Sequence, residues 1–190
     1  MSRAEIVPTE LPGVVVIESP VYRDDRGGFV ETWRADWDAP PELPERFVQV
    51  NCSMSRRGVL RGLHFQHPKG QGKLLHVPHG RIFDVVVDVR VGSPTYRRWI
   101  GVELDDREHR RLWVPAGLAH GFLVLSDEAV VSYSCTERHA PDCERVLRWD
   151  DPAVGVEWPL DGAEPVLSPR DQAGNDFAEL EEHLPRWDGE

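Results

Sequence analysis

From residue 72 onward the chain repeats a pattern that few architectures accommodate, short β-rich runs punctuated by turn signals. "KLLHVPHG", "RIFDVVVDVR", "YRRWIGVEL", "RRLWVPAG", "HGFLVLSD" and "AVVSYSCTE" follow one another, with "VPHG", "VGSPT", "DDREHR" and "VPAG" between them. A spacing of about ten to twelve residues leaves room for a strand and a tight turn but not for a crossover helix, so it predicts an all-β sandwich or barrel. Upstream, "GVVVIESPVY" and "RFVQVNCSMS" read as two further strands. The Gly-, Pro- and Asp-rich segment "RDDRGGFVETWRADWDAPPELPE" between them predicts turns and one short helical piece.

Period-two geometry divides "RIFDVVVDVR" into Phe83, Val85, Val87 and Val89 on one face and Ile82, Asp84, Val86 and Asp88 on the other. The first face predicts core; the acidic pair on the second reads as solvated or cross-strand hydrogen-bonded rather than catalytic. The same parity puts Gln49, Asn51 and Ser53 in one polar row. Buried polar groups require partners, so this row is an exposed face, an internal network or the lining of a ligand cavity. Beyond "WDDPAVGVEWPL" the chain turns polar; "DFAELEEHLP" predicts a short terminal helix covering an edge, and "RWDGE" a mobile end.

At 190 residues the chain is expected to form one domain, residues 1–190, with a core over about 12–174 and a C-terminal extension over 175–190. Its 22 basic and 33 acidic residues give a net charge of −11, which argues against nucleic acid and anionic membranes as partners, though not against a small anion met by converging arginines. Cys52, Cys135 and Cys143 lack the number and spacing of a disulfide framework or a CxxC metal pair, and are expected to be reduced thiols. The N-terminus lacks an apolar signal-peptide region, and no apolar run approaches transmembrane length, so a cytoplasmic location is expected.

Histidines are numerous, but metal spacing is not. His64 and His67 are three apart, which on a strand sends them to opposite faces, and no HxH pair with a nearby Glu occurs. His120 opens an apolar strand and is equally a packed residue or a site member. Lys73 and Lys69 are the only lysines; a compact ammonium can meet a developing oxyanion, though an isolated lysine is ordinarily a surface residue. Tyr133 shares a face with Ala129 and Val131 and reads as a core tyrosine, and Asp171 in "LSPRDQAG" as a turn or cap residue.

Five motifs, "DDRGGFVE" (24–31), "QVNCSMSRRGVLRGLHFQ" (49–66), "GKLLHVPHGRIFDVVVDVRVGSPTYRRWIG" (72–101), "LWVPAGLAHGFLVLSDEAVVSYSCTE" (112–137) and "WDDPAVGVEWP" (149–159), together resemble the dTDP-4-dehydrorhamnose 3,5-epimerase family, in its order and over roughly residues 12–174. The resemblance implies a cupin-type jelly roll with short peripheral helices, a homodimer, a dTDP-linked 4-keto-6-deoxy sugar as substrate, and no metal or organic cofactor. It makes His64 the catalytic base, Asp171 its partner, Lys73 the group at the sugar ketone and Tyr133 the acid. It places Arg61, Gln49 and Asn51 around the nucleotide-sugar, His120 near the sugar, Arg26 and Arg170 at the phosphates and Phe29 at the thymine, with some contacts supplied by the neighbouring subunit. The sequence departs from the family's "YxxTxxY" pattern in "YSCTERH", where His139 stands at the second tyrosine. The implied reaction is epimerisation at C3 and C5 for rhamnose or antibiotic deoxysugar synthesis; a 3-only or 5-only epimerase and a non-catalytic nucleotide-sugar binding module are the rival readings.

Overall fold

The computed structural model describes residues 4–34 and 43–189, so the helical piece expected within 23–45 falls partly outside the described residues; its described part is a hairpin and irregular chain. One sheet runs in the order β1 (Glu5–Pro8), β2 (Val15–Glu18), β10 (Arg111–Val114), β7 (Lys73–His79), β12 (Glu128–Cys135), β5 (Gln49–Arg56). The second runs β13 (Glu144–Val146), β6 (Leu60–Gln66), β11 (Leu118–Val124), β8 (Arg81–Asp88), β9 (Trp99–Asp105). β3 (Val21–Asp24) and β4 (Gly27–Val30) form a separate hairpin. All these pairings are antiparallel. From β5 to β8, and again from β10 to β13, consecutive strands alternate between the two sheets, the winding of a jelly roll.

The alternation in β8 is as the sequence predicts, but the faces carry different burdens. Ile82 and Val86 point between the sheets and pack with Leu75, Val77, Leu112, Phe122 and Val131. Phe83, Val85, Val87 and Val89 lie on the outer side of the second sheet, in a second apolar layer with Leu63, Phe65, Ala119 and Leu147. The mixed face is therefore the interior of the roll, and neither aspartate is solvated. Asp84 is fully buried against His120 of the adjacent strand. Asp88 is held by Arg90, Ser93 and Thr95.

Phe177, Leu180 and Leu184 from the C-terminal segment close this outer layer. Each contributes about 1.5–3 kcal/mol by leaving water. The expected terminal helix is only a turn followed by a 3₁₀ segment, Glu181–His183, and it covers a sheet face rather than an edge. Pro185 stops it, since proline cannot donate to a helical ladder and restrains the residue before it. Of the end expected to be mobile, Arg186 and Trp187 are held, and Glu190 lies outside the described residues. The Trp187 backbone N–H donates to the Val91 carbonyl at 2.9 Å, and the Arg90 guanidinium lies 4.2 Å from the Trp187 ring centre.

Candidate active site

Between the sheets, a cavity of about 620 Å³ opens beside β5. The parity of β5 accounts for its first wall. Gln49, Asn51 and Ser53 point inward, half-buried, and the Gln49 amide donates to Asn51 at 3.0 Å; the alternate residues Val50 and Met54 face out. Of the readings left open by the sequence, the cavity lining is the one the fold realises.

His64 on β6 is registered directly opposite His120 on β11. The strands approach closely here because two glycines cross. A Cβ on Gly62 would lie 2.6 Å from the Gly121 Cα, and one on Gly121 would lie 2.5 Å from the Arg61 carbonyl oxygen. No side chain fits at either position, and Gly62 also has φ +124°, a conformation L-residues rarely adopt. The close contact coincides with a register shift between His120 and Phe122, and both histidines line the same cavity.

Asp171 reaches His64 from a single helical turn, α1 (Pro169–Gln172), 107 residues away in sequence. The loop assignment is thus corrected to a helix start, though the capping role is real: the Ser168 hydroxyl accepts from the Asp171 backbone N–H at 3.1 Å and donates to its carboxylate at 2.6 Å. The other carboxylate oxygen lies 2.6 Å from His64 Nε2 and 3.4 Å from the Gly62 backbone N–H, which donates to it. Burial pushes the Asp171 carboxyl upward, but the bonds from His64 and Ser168 outweigh it and hold the group below its ordinary range. An ionised Asp171 fixes the ring so that Nε2 is the protonated nitrogen, leaving Nδ1 to accept a proton.

Lys73, at the start of β7, faces the same cavity, where burial lowers the ammonium's pKa against the opposing pull of Cys135, Glu144 and Asp84. Tyr133 on β12 packs partly against the main core, as its periodicity predicted, yet also lines the cavity. Burial, followed by the field of Cys135, raises the phenol's pKa and keeps it protonated near neutrality. Burial likewise raises Asp84, opposed by the two bonds from His120 Nε2 at 2.9 and 3.0 Å. Arg61, His139 and Arg170 complete the predicted residues present here.

Two predicted binding residues lie elsewhere. Arg26 and Phe29 sit on the exposed β3–β4 hairpin, with Arg26 paired to Asp24, and neither lines this cavity. Conversely, sequence reasoning missed Glu144. It is mostly buried in the cavity wall, 2.6 Å from His139 Nε2 and ion-paired with Arg170. Burial pushes its carboxyl up, but the bonds from Arg170 and His139 bring it below the usual carboxylate range. β13 has only three residues, so no periodicity marks its inward face. Among the described residues no group of three His, Cys, Asp or Glu side chains is arranged to hold a metal ion, and the three cysteines are free.

In this cupin-type jelly roll a histidine on one sheet, paired to an aspartate from the adjoining helical turn, faces a half-buried lysine and tyrosine on the other sheet, an arrangement of the class able to move protons by acid–base chemistry. The chain belongs to the dTDP-4-dehydrorhamnose 3,5-epimerase family, whose family model matches residues 8–179. It is 48% identical over 167 residues to the dTDP-4-dehydrorhamnose 3,5-epimerase of Methanothermobacter thermautotrophicus, covering 88% of this chain and 90% of that one. It is 47% identical over 183 residues to the enzyme of the same name from Neisseria gonorrhoeae, covering 96% of this chain but 56% of that longer protein. The crystal structure of a dTDP-6-deoxy-D-glucose-3,5-epimerase from Legionella pneumophila, in complex with dTDP-4-keto-L-rhamnose, superposes with a TM-score of 0.92 at 41% identity, covering 98% and 100% of the two chains. A 3'-monoepimerase from Streptomyces bikiniensis, in complex with dTDP-quinovose, gives 0.89 at 36% identity, covering 95% and 92%.

Proposed function

We propose that this chain converts dTDP-4-dehydro-6-deoxy-D-glucose to dTDP-4-dehydro-L-rhamnose by inverting C3 and C5 in turn. The observation that carries the reading is the placement of His64 and Tyr133 on opposite sheets facing one cavity. Inversion requires a proton to leave one face of a carbon and return on the other. His64 Nδ1 takes the proton beside the C4 ketone, and the resulting imidazolium is stabilised by Asp171. The electron pair moves onto the ketone oxygen, where the Lys73 ammonium meets it. Tyr133 donates a proton to the carbon from the far side; before the second centre reacts, His64 gives up the proton it took and the tyrosinate takes one up, both by exchange with solvent. No bond order or oxidation state changes overall, so the reading assigns no metal or organic cofactor.

Gln49, Asn51, Arg61 and His120 hold the nucleotide-sugar, His139 borders the sugar, and Arg170 supplies charge for the diphosphate, for which a guanidinium fork is well matched. Arg26 and Phe29 serve the phosphates and thymine of a neighbouring subunit's site. A homodimer is supported by the outward apolar side chains Val48, Val50 and Met54 on and beside edge strand β5, and by exposed Phe29. The whole chain acts as one epimerase domain in the cytoplasm; no described helix is long and apolar enough to cross a membrane. Its net charge of −11 disfavours nucleic acid or an anionic membrane as a partner.

Incubation with dTDP-4-dehydro-6-deoxy-D-glucose in deuterated water tests the reading. The expected product has the L-lyxo configuration with solvent deuterium at both C3 and C5. Inversion confined to one centre would replace it with a single-centre epimerase, a reading favoured by the similarity to a 3'-monoepimerase and by His139 in place of tyrosine. Tight binding of the nucleotide-sugar without any exchange would indicate a binding module instead.

A further inference from the structure

Arg170, the cation placed to meet the diphosphate, is already occupied: it is ion-paired with Glu144, whose side chain is only 12% exposed. The same carboxylate oxygen, Oε2, also takes His139 Nε2 at 2.6 Å. Arg170 and His139 are each about half exposed, at 49% and 46%, so both have room to move while Glu144 does not. One buried acid is thus shared between a permanent cation and a titratable one, at the wall of a cavity expected to receive a dianion.

Resting on the nucleotide-sugar reading above, we propose that His139 is a positioning residue for anion capture: its protonation replaces the charge that Glu144 loses when Arg170 turns to the diphosphate. A mostly buried carboxylate stripped of its charged partner is costly, whereas one paired to an imidazolium is not. Ligand binding is therefore coupled to uptake of a proton. The other titratable groups bearing on this trio are His64, whose field reaches Glu144, and Lys73 and Tyr133, on both of which the field of the same carboxylate acts. Glu137 and Arg138 are its neighbours along the chain. The His139 backbone N–H also donates to the Gln49 side chain at 2.9 Å, which anchors the imidazole beside the cavity whatever its charge.

The coupling has a definite sign. Where an imidazolium already stands at Glu144 when the ligand arrives, the carboxylate keeps a charged partner and the release of Arg170 costs less. As pH rises, each binding event must either draw a proton from solvent or leave Glu144 uncompensated, so affinity falls. With one linked proton the limiting slope is about tenfold in Kd per pH unit.

Calorimetric titration with dTDP-glucose tests this, because its diphosphate diester stays doubly ionised from pH 5.5 to 8.5 and its sugar lacks the ketone needed for turnover. Measurements at each pH in two buffers of different ionisation enthalpy count the protons taken up. The wild-type protein should take up a proton that His139→Gln does not, and the affinity of the variant should fall well below wild type at pH 6 yet converge with it at pH 8.5. His139→Tyr, which restores an aromatic donor without a titrating nitrogen, should behave like His139→Gln. A pH profile and proton count shared by wild type and both variants would assign the uptake to another group, such as His64, and overturn the role of His139 alone. Failure of the wild-type protein to bind dTDP-glucose at any pH would instead overturn the nucleotide-sugar reading, and this inference with it.

Discussion

Replacing Asp171 by Asn removes one charge while changing the side-chain volume little, and so isolates what the carboxylate does for His64. The two groups are 2.6 Å apart, and Asp171 is 4% exposed. With charge centres about 4 Å apart and an effective dielectric near 20, the attraction between imidazolium and carboxylate is about 4 kcal/mol, or close to three decades in rate. An amide can also present its N–H to Nε2 and force the ring into the wrong tautomer, a change that costs up to about 10⁴ in a comparable dyad. The expected loss in kcat is therefore between about 10³ and 10⁴, against a stability loss of only about 1–3 kcal/mol, because Ser168 and Gly62 keep at least one acceptor oxygen. Stopped-time deuterium wash-in reports the chemical step and urea unfolding the stability. Turnover within tenfold of wild type in a folded Asp171→Asn protein would refute the assignment of Asp171 as the orienting charge.

Lys73→Met, which keeps the length and loses the ammonium, should lower kcat by about 10²–10³ with a smaller effect on KM, read from steady-state kinetics. Gly62→Ala should destabilise the fold by about 3 kcal/mol or more, since its Cβ would meet the Gly121 Cα at 2.6 Å in a positive-φ conformation; chemical denaturation measures it. Burial, with the adjacent His109 and Arg111, lowers His76 to about 4, so the fold holds it neutral. Its contribution to stability is complete above pH 6.5 and is lost as pH falls from there toward 4, at most on the order of 3 kcal/mol. His76→Asn should flatten that part of the pH–stability curve, measured by denaturation at a series of pH values.

The strand rhythm was legible because each run is short and bounded by residues that cannot continue it, and β5 was legible as a polar row because its alternate positions face solvent and cavity. β8 shows where the same method fails. Its two faces are both buried, so period two separates them without saying which lies inside the roll, and the more apolar face proves to be the outer one. Asp171 was a turn residue by every local criterion; only the approach of α1 to β6, which no spacing rule encodes, makes it the partner of His64. The family resemblance supplied that pairing and implied that a neighbouring subunit completes the site, without marking Arg26 and Phe29 as the residues outside their own protomer's cavity, and it gave no warning of Glu144.

The outer position of that apolar face follows from what the interior must do. A roll that carries Asp84, Lys73, His64, His120 and Glu144 between its sheets gives up part of its best-shielded volume to groups that cost free energy to bury. The second apolar layer offsets that cost without entering the cavity. Phe177, Leu180 and Leu184 close over Val85, Val87 and Val89, and Arg90 and Val91 tether the chain beyond them through Trp187. The tail also bears on the strands that carry the two cavity histidines, since Leu63 and Phe65, beside His64, and Ala119, beside His120, belong to the same layer. A terminal segment that reads in the sequence as a polar extension with a short edge-covering helix is thereby part of what holds the two imidazoles in register.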